Sequence, residues 1–471
     1  MKIQTLGTYP LAQKTSYLLT FDKVQIILDA GGTEQNGTLR LPQQILQSLP
    51  LYIIITHCHT DHTASLPFLV EKLAPITIFS SILTKQMIAE RGTSKQLKAL
   101  SDQIQTIPFN IEYQLDEIIS FLLTPAAHAP GAACVTIYQK NIPTFTFTGD
   151  FEVPRRLVLK KDMPPHTKSL MFDSTFCAFL RCPSVFRSIL ATSTAFSNLP
   201  SLHPQSAEGV SQETSARLNL FIRKLNSQRT IQVDSVHALP VNMIVRKGNE
   251  YTNFGDILSG VDSMQSFRQQ AVVSVPTSIH SGSTAAQFAI LCGVPSFMMI
   301  YDFCFYGDCF RLGSGLIKAY QIGSKIIQSQ MRHFQMWCDQ HLDYRDILCL
   351  IDCCMPKVVY FQHALRINEV NDSAWLVGQL LPFLTVLVFN KEEFSQNKAL
   401  NYKNIIHREK FSVSLFVILD MFESYGIIMD KINENLFQCG KIFLYTQDKF
   451  SILSYTSDME IQKIVSSLKQ L

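Results

Sequence analysis

The sequence predicts a strand-rich α/β fold interrupted by a second α/β unit, and three observations predict it. The first 150 or so residues alternate short β-branched runs with Gly, Asp and Pro turns. Residues 179–330 carry their own alternation of helix and strand patterns. The first style then returns over 331–390, and a chain that leaves a domain and comes back to it contains an insertion.

Taken in order, residues 2–6, 16–20 and 24–28 read as strands, the last running into Asp29-Ala30-Gly31-Gly32. The continuous apolar run over 51–56 has the pattern of a strand buried on both faces. A helix pattern over 64–73, a strand at 76–79 and a helix from Thr84 follow, then strands at 119–123, 134–139 and 144–148. The insert offers a helix at 215–226, strands at 230–233 and 271–275, and a helix at 284–292. A helix at 344–353 and a strand at 357–361 resume the first unit. The tail mixes strand-like 412–419 and 441–445 with an amphipathic helix at 459–468. The expected division is 1–178, 179–330, 331–390 and 391–471.

Composition excludes several classes. Apolar residues make up 46% and charged residues 17%, enough to bury large cores and unlike a disordered chain. Lys+Arg 41 against Asp+Glu 38 leaves only +3, so nucleic acid would be held by a local groove rather than by bulk charge. The N-terminus lacks a signal-peptide pattern, and the longest apolar runs fall short of the roughly 18 residues that span a bilayer. Twelve cysteines without Cys-x-x-Cys spacing suggest neither a disulfide framework nor a cysteine zinc knuckle. A reduced, soluble intracellular protein with no membrane partner is the expectation.

The sharpest motif is Thr56-His57-Cys58-His59-Thr60-Asp61-His62, at the end of the buried strand over 51–56. Three imidazoles and a carboxylate in six residues are donors suited to zinc. So short a segment wraps poorly around one ion, which points to two neighbouring metals: His57 and His59 on one, Asp61 and His62 on the other. Further donors stand at other strand ends, where α/β sheets bind ligands. His128 follows strand 119–123, and Asp150 follows strand 144–148. A carboxylate shared by two cations offsets their repulsion. Alone, either residue would read as a loop histidine or a turn aspartate.

Asp29, His57-x-His59-x-Asp61-His62, His128 and Asp150 stand in the order of the metallo-β-lactamase family, which this stretch resembles. Met171-Phe172-Asp173-Ser174-Thr175-Phe176 is similar to motif A of the β-CASP nucleases, and Val233-Asp234-Ser235-Val236-His237-Ala238 to an element of their inserted domain. Asp339-Gln340-His341-Leu342-Asp343 resembles motif B, and the strand ending at Gln362-His363 resembles motif C. The resemblance implies a metallo-β-lactamase αββα sandwich with an inserted β-CASP α/β domain and a small α+β C-terminal domain for partner binding. It implies two Zn2+ ions, one on His57, His59, His128 and Asp150, the other on Asp61, His62, His363 and the shared Asp150. Asp29 would orient a ligand histidine, Asp61 would also orient the nucleophile, and His341 paired with Asp173 would protonate the leaving 3′ oxygen.

A histidine at motif C marks the RNA-directed members. The function implied is therefore endonucleolytic hydrolysis of single-stranded, pre-mRNA-like RNA in 3′-end processing. Such an enzyme would sit in the nucleus among other subunits, including a related β-CASP paralogue. The nuclease subunits of the cleavage and polyadenylation specificity factor and of Integrator are the near relatives in that group, and ribonuclease J is more distant. The chain departs from the pattern on its substrate side. Asp173 stands where Glu is frequent, Gly209-Val210-Ser211-Gln212-Glu213 lacks an arginine, Gly307-Asp308-Cys309-Phe310 replaces a Gly-Thr-Leu turn, and Ala364 follows motif C. A catalytically weak scaffold subunit is the alternative those departures raise. Arg155-Arg156 and Lys160-Lys161 are candidates for steering RNA, although short charge runs are usually solvated faces.

Overall fold

The computed structural model describes residues 1–7, 15–31, 45, 48–92, 94–153, 161–177, 199–205, 208–224, 230–234, 241, 261–262, 270–274, 282–301, 319–322, 325–336, 341–363, 377, 385–388, 398–399, 406–411, 430–433, 436–439, 442–447 and 450–456. Six strands form the first sheet: β1 (Lys2–Thr5), β2 (Tyr17–Thr20), β3 (Gln25–Leu28), β4 (Leu51–Ile54), β5 (Thr77–Ser80) and β6 (Ile104–Thr106). They lie in chain order, antiparallel from β1 to β3 and parallel from β3 to β6. Helices α1 (Thr60–Thr63), α2 (Leu66–Leu73), α3 (Ile82–Arg91) and α4 (Lys95–Leu100) belong to this half.

The second half begins with β7 (Glu112–Gln114), β8 (Ile119–Pro125), β9 (Ala133–Gln139), β10 (Ile142–Phe147) and β11 (Ser169–Asp173). Alternation along the strands explains why the two sheets face each other. Leu19, Ile26, Leu28 and Ile54 point one way, into a core shared with Phe121, Val135, Phe147 and Phe172 of the second sheet. Leu18, Ile27, Ile53 and Ile78 point the other way and pack under Leu66, Leu69, Ile88 and Leu97 of the helices. Burying both faces is what the unbroken apolar run over 51–56 required.

The chain then builds a third, separate sheet from β12 (Ser201–Pro204), β13 (Thr230–Asp234), β14 (Val261–Asp262), β15 (Gln270–Ser274), β16 (Ser296–Tyr301) and, after the hairpin β17 (Ala319–Ile322) and β18 (Lys325–Gln328), β19 (Met331–Met336). Its order is β14-β13-β15-β12-β16-β19, and every pairing in it is parallel. Helix α5 (Val210–Lys224) covers β13 and β15 through Leu218 and Ile222, and α6 (Gly282–Leu291) packs on β12 and β15.

The chain returns through α7 (Tyr344–Cys354) and β20 (Val358–Gln362), which pairs in parallel with β11. With β21 (Thr385–Val388) and β22 (Lys398–Ala399), this completes an eight-stranded sheet ordered β22-β21-β20-β11-β10-β9-β8-β7. The tail contributes β23 (Ile406–Phe411), β24 (Asp430–Asn433), β25 (Leu436–Cys439), β26 (Ile442–Gln447) and β27 (Phe450–Thr456), an antiparallel sheet of its own. The whole is a mixed α/β architecture consistent with a metallo-β-lactamase fold.

The expected return at 331 needs correction, because β19 still pairs with β16. Its alternating Met-Arg-His-Phe-Gln-Met composition hid a parallel edge strand. The expected strand 412–419, the terminal helix 459–468, Ser235–Ala238 of the inserted element, Gly307 to Phe310, Asp339, Gln340, Ala364, Arg155, Arg156 and Lys160 lie outside the described residues. Among the described residues, no helix is long and apolar enough to cross a membrane.

Candidate metal centre

The candidate residues converge at the strand ends between the two facing sheets, and the loop after β4 supplies most of them. Asp29 closes β3 in a left-handed backbone (φ +58), a region Asp tolerates better than most residues. That turn aims its carboxylate at the next strand end. Thr56 donates to it twice, from the backbone N at 2.7 Å and from Oγ1 at 2.8 Å. His62 Nδ1 donates to Asp29 Oδ2 at 2.7 Å. The ring is thereby fixed with Nε2 facing Asp150 Oδ1 at 3.3 Å and Asp61 Oδ2 at 3.8 Å. Since the Thr56 hydroxyl proton goes to Asp29, His57 Nδ1, 3.0 Å from Thr56 Oγ1, is the donor there. His57 Nε2 is left toward Asp150 Oδ2 at 3.6 Å.

Asp150 follows a glycine for a steric reason. Gly149 has φ +57, and a Cβ on it would lie 2.8 Å from Thr56 Oγ1. The tight approach delivers the carboxylate to the middle of the cluster. His128 Nε2 lies 3.3 Å from Asp150 Oδ2 and 3.1 Å from His59 Nδ1. His363 Nε2 lies 3.4 Å from Asp150 Oδ1 and 3.0 Å from Asp61 Oδ2. Two four-residue sets result, His57/His59/His128/Asp150 and Asp61/His62/Asp150/His363, each with its donor atoms within 4.8 Å of one another. Asp150 serves both.

The donor set fits divalent metal ions. Imidazole nitrogens and carboxylate oxygens are hard-to-borderline ligands at suitable number and spacing. Among the described residues, His62 Nε2 and Asp150 Oδ1 are buried without a hydrogen-bond partner, and they face each other. Buried polar atoms without partners are costly, and a cation between them would satisfy both.

Beside these sets, His341 Nδ1 donates to Asp173 Oδ2 at 2.6 Å, and the His341 ring stacks on His363 at 5.4 Å. The capping box of α7 fixes His341 from behind, with Asp343 accepting from the backbone of Arg345 and Asp346. A bridge between Phe176 and Asp343 ties that cap to the end of β11. A third set, Asp150/Asp173/His341/His363, is also compact enough for an ion. The structure thus brings all the expected site residues together: Asp29, His57, His59, Asp61, His62, His128, Asp150, Asp173, His341 and His363.

Sequence reasoning did not single out two threonines. Thr56 carries the hydrogen bonds that link Asp29 to His57. Thr175 touches Asp173, His341 and His363. Their only signal was adjacency to the motifs. The inserted unit also reaches the site: Gly209 (φ +95) packs so closely that a Cβ would lie 2.3 Å from the carbonyl of His128. Arg91 of α3 pairs with Glu208 at 2.9 Å beside it. By contrast, His166 is exposed, while His203 is buried against Ser201.

Electrostatics in the metal-free cluster follow from its packing. Burial alone would depress His363, but Asp150, Asp173 and Asp61 raise it to about 10. His62 is raised well above its usual value against the same desolvation, by Asp150, Asp29 and Asp61. Desolvation works against ionising Asp61, yet His62 and His363 hold it at about 2. Asp150 is likewise held well below the carboxylate range, its burial outweighed by His363, His62, His341 and His128. His57 is pushed well down by burial and by the neighbouring His62.

These shifts fix a sign. At neutral pH both His62 and His363 carry an extra proton without metal, and a cation must displace it. Loading the Asp61/His62/Asp150/His363 position at pH 7 should therefore release about two protons, and affinity should fall as pH falls. Titration calorimetry in buffers of different ionisation enthalpy measures this. Heats independent of buffer would contradict the protonation pattern.

Comparison with known proteins agrees with the geometry. Residues 9–184 match the family model of the metallo-beta-lactamase superfamily, so this stretch is similar to a domain of that class. A protein described as "Probable RNase MJ4" from Methanocaldococcus jannaschii is 24% identical over 145 residues, 26% of this chain and 33% of that protein. The match thus spans about a third of the length of this curated relative. The crystal structure of a protein of unknown function from Enterococcus faecalis V583 aligns with a TM-score of 0.51 at 13% identity, covering 85% of this chain and 100% of that one. That likeness is one of fold. Superfamily, site and relative together support a metal-dependent hydrolase.

Proposed function

We propose that this chain is a zinc-dependent endoribonuclease that hydrolyses phosphodiester bonds in single-stranded RNA. The observation that carries the reading is Asp150 shared by two complete four-residue donor sets, with the His341–Asp173 pair alongside. His57, His59, His128 and Asp150 would hold one zinc, and Asp61, His62, His363 and Asp150 the other. Zinc held there supplies Lewis-acid charge beside a phosphoryl group and lowers the pKa of water from 15.7 to about 7.

The chain's own residues do the rest. Asp61, half-buried at 29% side-chain exposure, would orient the attacking water. Asp173 accepts a hydrogen bond from His341 Nδ1, so Nε2 of that ring is the atom that carries a proton to the leaving 3′ oxygen. The products are a 5′-phosphate and a 3′-hydroxyl. RNA rather than DNA follows from the histidine at position 363 by resemblance to the β-CASP nucleases, and the similarity to a probable RNase supports it. On the same resemblance, the enzyme works in the nucleus within a pre-mRNA 3′-end-processing complex that holds a β-CASP paralogue.

Elemental analysis of chelator-rinsed protein, paired with cleavage of a labelled single-stranded RNA, tests the reading. Close to two zincs per chain and cleavage that a chelator abolishes and zinc restores are expected. Near-zero zinc in folded protein would overturn it in favour of a scaffold subunit.

A further inference from the structure

We propose that Thr175 is a positioning residue whose hydroxyl sets the ring of His363, so that Nε2 rather than Nδ1 is presented to Asp61 and Asp150. This deepens the reading above and rests on it for its zinc readout. Thr175 is buried at 1% exposure. Its Oγ1 lies 2.6 Å from Asp173 Oδ1, 2.7 Å from the carbonyl of His363, 2.8 Å from His363 Nδ1 and 3.3 Å from His341 Nδ1.

A hydroxyl has one proton to give and two lone pairs to receive with. The carboxylate and the carbonyl accept only, so that proton goes to one of them. The shorter contact, to the charged Asp173, is the stronger acceptor. Whichever oxygen takes it, none remains for His363 Nδ1. That nitrogen therefore carries the N–H and donates to Thr175 Oγ1. His363 Nε2 is left at 3.0 Å from Asp61 Oδ2 and 3.4 Å from Asp150 Oδ1, where a ligand atom is needed. The left-handed backbone of His363 (φ +59) brings its ring nitrogen and its carbonyl onto the one hydroxyl.

The same device occurs on the other donor set. Thr56 Oγ1 donates to Asp29 Oδ2 at 2.8 Å and receives from His57 Nδ1 at 3.0 Å. Each set thus has a carboxylate–threonine–histidine relay behind it: Asp29–Thr56–His57 and Asp173–Thr175–His363. Placing a hydroxyl between carboxylate and imidazole orients the ring, with Asp173 Oδ1 itself 3.7 Å from His363 Nδ1 behind the closer Thr175 contact. Partners of this kind fix ring orientation and tune ligand basicity.

The test compares Thr175→Val, which keeps the shape and removes the hydroxyl, with Thr175→Ser, which keeps the hydroxyl and removes the methyl. In metal-free protein labelled with 15N-histidine, the His363 Nδ1–H proton should be slow to exchange with solvent in the native chain and in Thr175→Ser, and about 10-fold faster to exchange in Thr175→Val, which removes its hydrogen-bond acceptor. The signal is assigned by its disappearance in His363→Gln. Zinc titrated against a chromophoric chelator should bind one of its two positions about 10- to 100-fold more weakly in Thr175→Val, with Thr175→Ser near native. An unchanged signal and affinity in Thr175→Val would overturn the proposal. So would Thr175→Ser behaving like Thr175→Val, because the methyl would then be what matters. A native chain that takes up no zinc would defeat the nuclease reading instead, and the protected proton would still decide the role of Thr175.

Discussion

Exchanging Asp150 for asparagine should empty both zinc positions and lower RNA cleavage by about 10³-fold or more, the largest effect expected of any single site substitution. Of the two sets assigned to zinc, every other donor serves one, whereas Asp150 faces His57 and His128 through Oδ2 and His62 and His363 through Oδ1. Asn keeps the shape and one carbonyl oxygen but loses the charge that offsets two cations. Its amide NH2 would also point hydrogens at whichever pair of imidazoles it faces. Zinc per chain should drop from close to two to well under one, measured on protein whose circular dichroism shows the native fold. Full zinc occupancy in Asp150→Asn would mean that the two sets do not share a bridge.

A different split is expected of His341→Ala. Removing the proton carrier should slow cleavage by about 10²- to 10⁴-fold while leaving zinc content unchanged. The result discriminates because the cluster offers a third donor set, Asp150/Asp173/His341/His363, in which His341 would be a ligand. Its 2.6 Å hydrogen bond to Asp173 occupies Nδ1 and is the geometry of an oriented acid. Loss of one zinc in His341→Ala would move the second cation to that set and leave the leaving-group acid unassigned.

The parts of this architecture legible in sequence were those written in short runs. Leu51 to Thr56 announced a doubly buried strand, and the four donors that follow it within six residues announced a metal loop. His128 and Asp150 were legible because each closes an apolar strand, and the sheets bring those ends to one place. His341 and His363 needed a family resemblance, since His363 has no donor beside it in the chain and His341 with Asp339 and Asp343 reads equally as a surface cluster. The supporting hydroxyls of Thr56 and Thr175 were not legible. Threonine is common at strand ends for its β propensity, and only coordinates reveal which one faces a carboxylate and an imidazole together. Strand β12 (Ser-Leu-His-Pro) and strand β19 were missed because pairing, rather than composition, makes them strands. The left-handed turn at Asp29 was equally silent, as it depends on its hydrogen bond to Ile54 and on Ser16 holding its carbonyl.

The eight-stranded sheet also sets a timetable. Strand β20 sits beside β11, and Thr175 and the His363 that it contacts are 188 residues apart along the chain. At synthesis rates of about 5–20 residues per second, a ribosome needs on the order of ten to forty seconds to travel between them. During that interval the loop carrying His57 to His62 is already made, but the neighbour that completes its second donor set has not been translated. The nascent chain therefore passes through a stage at which the His57/His59/His128/Asp150 set is complete and the set with His363 is not. Any activity that needs both sets would begin only after the last of these imidazoles has been translated.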